Sequence, residues 1–293
     1  MTKTAWVFPG QGSQVLGMGM DLLDIPSAKE KFAKAEAILG WSVTEICQKD
    51  EGKLSQTLYT QPILYVVESI LADIMRERGH QPNLVAGHSL GEYVALYIAG
   101  VFEWSAGLHL VKRRAELMDS TAGGMMAALL NFDRELLEKV IAQTPDIVLA
   151  NDNSPAQVVI SGTPDAVQAV ISEVKAKRAI PLKVSGAFHS PLIAPAAAEF
   201  QDILESVEFQ PAVVPVLSNV EPIPCTDAEI LKQRLNKQMT GTVRWREIAL
   251  QLPANGIQQV VEIGPGNVLT GLIKRISPDL ILKNVRNAAE LPD

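Results

Sequence analysis

The stretch VAGHSLGEYVAL, Val85–Leu96, sets Ser89 between Gly87 and Gly91 in a G-x-S-x-G pattern. A serine hydroxyl attacks a carbonyl only if a base takes its proton and donors hold the oxyanion. In a nucleophile elbow the serine sits on a sharp strand-to-helix turn, the flanking glycines give room, and the helix N-terminus behind it favours developing negative charge. The plainer account is a serine that caps a helix. The base should be one of four histidines. His80 falls in a surface turn, GHQP. His88 adjoins Ser89, where neighbouring side chains diverge. His109 reads as a packed or half-exposed helix residue. His189, in the loop SGAFHSPL one hundred positions beyond Ser89, is the choice by elimination; its alternative role is to cap the helix after Pro191.

No carboxylate near His189 completes a triad. Glu199, Asp202 and Glu205 fall on a solvated helix face, and Glu262 at a strand end is an unforced partner. A backbone carbonyl can orient an imidazole equally well, so a Ser–His dyad is acceptable chemistry. Two other stretches stand out. FPGQGSQ, Phe8–Gln14, is a strand followed by a glycine-rich turn suited to offering backbone N–H groups to an anion; Gly10, Gly12 and Gly17 miss the dinucleotide spacing. KRRAELMD places Lys112, Arg113 and Arg114 consecutively on a helix, so that one can face inward while the others stay wet.

The elements that must position these groups follow from pattern. TAWVF and NLVAG read as buried strands, and LGEYVALYIAGVF as the helix after the elbow. SAKEKFAKAEAILG is a helix capped by Ser27 and stopped by Gly40, and further helices start near Thr60 and at SAGLHLVKRRAELMDS. Residues 124–187 then read β-α-β-β-α-β: GMMAALL, DRELLEKVIAQ, DIVLAN, a turn DNSP, AQVVISG, a helix capped by Thr163, and AIPLKV. Afterwards the larger α/β pattern resumes with PLIAPAAAEFQDILESV (helix), VVPVLSNV (strand), two helices, QQVVEIGPG (strand) and VLTGLIKRI (helix). The expected fold is therefore α/β: an α/β-hydrolase-like subdomain with a parallel sheet, residues 1–123 and 188–293, and an inserted ferredoxin-like subdomain, residues 124–187.

With 293 residues, 47% hydrophobic and 20% charged, the chain has the composition of a soluble globular protein. Its net charge of −7 argues against nucleic acid as a partner. Two widely spaced cysteines exclude a Cys-rich zinc site or disulfide scaffold and fit a reducing compartment. No His/Cys/carboxylate cluster supports a metal. No apolar run approaches the ~18 residues of a membrane span, and no signal peptide opens the chain; a cytoplasmic location is expected.

Together, FPGQGSQ, GHSLGEY, RRAELMD, NDNSPAQVVISG, GAFHSPL and EIGPGNVLTGLIKR resemble the malonyl-CoA:acyl carrier protein transacylases over essentially the whole chain. The resemblance implies ping-pong transfer of a malonyl group from malonyl-CoA to the phosphopantetheine thiol of an acyl carrier protein. Ser89 would be the nucleophile and His189 its base, with the N–H groups of Gln11 and Leu90 as oxyanion hole. Arg114 rather than Arg113 would grip the malonyl carboxylate, Phe188 would favour the unbranched unit, and Asn151 and Asn153 would line the site unless they are merely turn residues. Family members often carry VQW where this chain has VRW, Val243–Trp245, which puts any side-chain role of Arg244 in doubt. The family is usually monomeric and needs no resident cofactor. Its carrier is acidic, so Lys175, Lys177, Arg178 and Lys183, with Lys274 and Arg275, are candidate docking cations. The rivals are a serine esterase or thioesterase, which would want the missing triad acid, and a catalytically idle carrier-binding scaffold, against which both Ser89 and His189 stand.

Overall fold

The computed structural model describes residues 2–292. The chain enters on β1 (Thr4–Phe8) and runs through α1 (Pro26–Leu39), α2 (Val43–Lys49), α3 (Glu51–Leu54) and the long α4 (Thr57–Glu77). It returns on β2 (Leu84–Gly87), turns into α5 (Gly91–Ile98) and continues through α6 (Trp104–Asp119). Next come β3 (Met125–Leu130), α7 (Arg134–Gln143), β4 (Ile147–Ser154), β5 (Gln157–Gly162), α8 (Pro164–Val174) and β6 (Arg178–Pro181). The last part holds α9 (Ala194–Glu205), β7 (Val216–Leu217), α10 (Ala228–Gln238), α11 (Trp245–Ala254), β8 (Gln259–Ile263), α12 (Val268–Ile276) and β9 (Ile281–Val285).

The strands form two sheets. One is parallel, in the order β7-β2-β1-β8-β9. Its central strands are buried on both faces, which is why TAWVF and QVVEI read as near-continuous apolar runs. The other is antiparallel, in the order β4-β5-β3-β6, and is the expected ferredoxin-like arrangement. Alternation along its strands separates two faces. Ala127, Leu129, Val158 and Ile160 pack with the apolar faces of α7 and α8, while Met126, Ala128 and Val159 turn toward the large sheet.

Three expectations need correction, and one strand is added. Ser27 does not cap α1; Ile25 holds that position and Pro26 begins the helix, its fixed φ being suited to a first turn. DNSP is not a turn: β4 runs on through Ser154 and the reversal falls at Pro155–Ala156. The strand persists because it finds a second partner, Val243, which accepts from the Asp152 N–H at 2.9 Å and donates to the Ala150 carbonyl at 2.8 Å. VVPVLSNV contributes only the two residues of β7 to the sheet. Finally, ILKNV, followed by an irregular segment and unread as a strand, pairs beside β8 as the fifth strand, β9.

Candidate active site

Gly87 and Gly91 are there because nothing larger fits. A Cβ on Gly87 would lie 1.9 Å from the Gly91 carbonyl carbon, and one on Gly91 would lie 2.0 Å from the Phe8 carbonyl oxygen. This packing forces the turn between β2 and α5 and leaves Ser89 at φ 51°, a left-handed conformation that only a surrounding lock sustains for a non-glycine. The lock is Asn219: its Oδ1 accepts the Ser89 N–H at 2.7 Å and its Nδ2 donates to the Gly87 carbonyl at 2.6 Å.

His189 arrives from the loop after β6, also at positive φ, 57°. Its Nε2 lies 2.8 Å from Ser89 Oγ. Its Nδ1 faces the Gln238 carbonyl at 2.9 Å and the Gly241 carbonyl at 3.2 Å. Two acceptors at Nδ1 put the proton there and leave Nε2 free to accept the serine proton. Burial, reinforced by the Arg114 cation, holds the imidazole down to about 3 from its ordinary value, so at neutral pH the ring is uncharged. Glu262 is not its partner. That carboxylate collects the Leu269 and Thr270 N–H groups, the Thr270 hydroxyl and Asn284 Nδ2, anchoring the start of α12. Arg244 does not orient His189 either; its side chain pairs with Glu247 and donates to the Val220 carbonyl.

The KRR run resolves by what each side chain meets. Arg113 pairs with Glu116 at the surface and Lys112 reaches the Ile38 carbonyl. Arg114 is 1% exposed. Its Nη1 donates to Gln61 Oε1 at 2.6 Å, and its Nη2 to Gln238 Oε1 at 3.0 Å and to Ser89 Oγ at 3.0 Å. Its guanidinium carbon sits 5.3 Å from the centre of the Tyr93 ring. Ser89 Oγ therefore lies between an imidazole that can accept its proton and a cation that favours its negative charge.

These groups floor a cavity of about 220 Å³ between the two sheets. Gln11 and Leu90 line it beside Ser89, and Phe188, Met118, Met126 and Val159 supply its apolar wall. Asn151 and Asn153, two apart on β4, both face it; Asn153 Oδ1 meets His88 Nε2 at 2.8 Å across the gap between sheets. Thus the His88 side chain does not diverge from the site. Between the two asparagines, Asp152 points away and is held by Arg134 and Arg246, each at 2.9 Å. His109 is exposed and His80 half-buried, neither lining the cavity. Gln61, Gln238, Asn219 and Glu92 escaped the sequence reading. Glu92 stands inside the quoted motif, but nothing in its spacing says that it turns inward.

The six cations anticipated for docking are all exposed, but Lys175, Lys177, Arg178 and Lys183 do not form one patch. Lys183 lies between Leu182 and Val184, which line the cavity. Lys175 and Lys177 precede β6, and Arg178 pairs with Leu130 at the end of β6 away from the cavity.

A serine–histidine pair on a strained elbow of a parallel α/β sheet, with a buried arginine on the hydroxyl, defines an acyl-transferring class. The chain belongs to the acyl transferase domain family, whose model matches residues 5–289. Within that family it stands with the malonyl CoA-acyl carrier protein transacylases, as its motifs implied. It is 57% identical over 289 residues to the malonyl CoA-acyl carrier protein transacylase of Synechocystis sp., covering 99% of each chain. The crystal structure of the Synechocystis malonyl-CoA:ACP transacylase superimposes with a TM-score of 0.97, again covering 99% of both chains. A solved complex of a type II PKS acyl-carrier protein with its malonyl-transacylase matches at 38% identity and a TM-score of 0.95, covering 99% of this chain and 98% of that one.

Proposed function

We propose that this protein moves a malonyl group from malonyl-CoA to the phosphopantetheine thiol of an acyl carrier protein, through a malonyl ester on Ser89. The observation that carries the reading is the pair of hydrogen bonds on Ser89 Oγ, from Arg114 Nη2 and to His189 Nε2. His189 takes the hydroxyl proton as Ser89 attacks the thioester carbonyl. The backbone N–H groups of Gln11 and Leu90 are assigned to the oxyanion; one such donor is typically worth about 2.7–4 kcal/mol. As the tetrahedral intermediate collapses, coenzyme A leaves with the proton from His189. The carrier thiol then gives its proton to His189 and attacks the ester; as that intermediate collapses, Ser89 Oγ leaves with the proton returned by His189, restoring the enzyme. Arg114 meets the free carboxylate with a planar fork that a lysine could not reproduce, and Phe188 closes the space that a branched acyl group would need. Asn151 and Asn153 line the malonyl side from β4. Lys183, between the cavity-lining Leu182 and Val184, is the cation assigned first to a docking surface for an acidic carrier; Lys175, Lys177 and Arg178, and Lys274 and Arg275 in the last turn of α12, would contribute at longer range. Among the described residues no helix is long and apolar enough to cross a membrane.

Intact-mass measurement after mixing with malonyl-CoA tests the reading. A persistent malonyl adduct, absent from Ser89→Ala and discharged by holo carrier, is the expected result. Rapid release of free malonate without carrier would make the protein a thioesterase, and no adduct with no turnover would make it a scaffold.

A further inference from the structure

Glu92 lies directly behind the reacting groups, and the reaction as written makes no use of it. It sits in the first turn of α5, three residues past the nucleophile, and is fully buried. A carboxylate is costly there unless its contacts do something in return. Oε2 collects two donors, Gln238 Nε2 at 2.8 Å and the Asn219 backbone N–H at 3.2 Å.

We propose that Glu92 is a positioning residue that sets which way round the Gln238 side-chain amide lies, and through it aims Arg114 at Ser89 and at the acyl carboxylate. This rests on the functional reading above. A glutamine amide has an accepting and a donating end of nearly equal size. As observed, Gln238 Nε2 donates to Glu92 and to the Ser89 carbonyl at 2.8 Å, while Oε1 accepts from Arg114 Nη2 at 3.0 Å. The reversed amide would set N–H against guanidinium N–H and oxygen against two acceptors. Arg114 can only donate, and Glu92 Oε2 is the acceptor at the other end, so Glu92 and the serine carbonyl together present two acceptors to the donating end of the amide and reinforce the orientation that Arg114 requires. The backbone carbonyl of Gln238 also orients His189 Nδ1. One residue of α10 therefore touches nucleophile, base and anchor, and Glu92 fixes its side chain. By its second contact Glu92 steadies Asn219, which brackets the elbow.

The test compares Glu92→Gln, which keeps an oxygen acceptor, with Glu92→Met, which keeps approximate volume and loses it. For each, kcat/KM for malonyl-CoA and for acetyl-CoA is normalised to the fraction of protein with a reactive Ser89. The malonyl-over-acetyl ratio should stay within about threefold in Glu92→Gln and fall about tenfold or more in Glu92→Met, the loss expected when the buried acceptor that holds the anchor network is removed and its donor left unsatisfied. A structural role alone would lower the reactive fraction and leave the ratio unchanged, and that result would overturn the proposal. Should Glu92→Met fail to fold, the unmodified protein still decides: the Gln238 side-chain amide resonances should shift as the contacting Glu92 carboxyl takes up its proton, and resonances unmoved by that titration would reject the lock. A wild-type protein without a malonyl adduct would instead defeat the functional reading, a failure visible before any variant is made.

Discussion

Replacing Arg114 with alanine should convert a malonyl-selective site into an unselective one. The side chain is 1% exposed and makes three hydrogen bonds, to Gln61, Gln238 and Ser89. Truncating one partner of a buried, hydrogen-bonded charge pair costs about 2–5 kcal/mol. At about 1.4 kcal/mol per tenfold, kcat/KM for malonyl-CoA falls between about 30-fold and a few thousand-fold. Acetyl-CoA offers no carboxylate for the cation to meet, so it loses only the contact to Ser89 Oγ and falls far less than malonyl-CoA once the cation is gone. Arg114→Lys should recover charge without selectivity, because a point charge cannot replace the fork. The assay is competition between the two thioesters, scored by the mass of the adduct on Ser89. An unchanged malonyl preference in Arg114→Ala would refute the anchor role. The same variant carries a second readout. Burial first and the Arg114 cation second depress the His189 pKa, so removing the cation should move the acidic limb of the kcat/KM profile toward higher pH.

Other outcomes follow from the same geometry. Burial lifts the Glu92 carboxyl from 4.5 to about 7, so the native state binds that proton more tightly than the unfolded chain does; the resulting stability is present at low pH and lost as pH rises through 7. Glu92→Gln should therefore stabilise the fold at pH 8, by on the order of 3 kcal/mol, and much less at pH 5; an equal change at both would contradict it, as read by denaturant unfolding. His189 works in the opposite sense: its depressed pKa makes stability decline as pH falls from 6.5 toward about 3. Lys183→Glu should raise the KM for carrier severalfold and weaken its salt dependence while sparing cleavage of malonyl-CoA, with a smaller effect from Lys177→Glu and Arg178→Glu together; equal loss of both half-reactions would remove Lys183 from docking. Gly91→Ala, whose Cβ would lie 2.0 Å from the Phe8 carbonyl oxygen, should yield little folded protein by circular dichroism, and a well-folded, active variant would show that the elbow can open.

Whatever short-range pattern encodes could be read from the chain. Apolar runs, glycine turns and helix caps placed β1, β2, β8 and the alternating strands of the antiparallel sheet, and the order of elements gave two sheets. Ser89 was legible because its glycines are demanded by backbone contacts within the same few residues, and His189 because few histidines compete. Tertiary structure alone decided what meets across long separations. The expected turn at DNSP became strand because Val243, ninety positions away, supplied the missing backbone partners, and the same pairing turned Asn151 and Asn153 toward the cavity. Which of Arg113 and Arg114 faces inward depends on where α4 and α10 bring Gln61 and Gln238. The carbonyls that orient His189 carry no side-chain signature at all. A backbone acceptor or a buried amide is chemically ordinary in sequence; it becomes specific only when the fold excludes water and leaves it one partner.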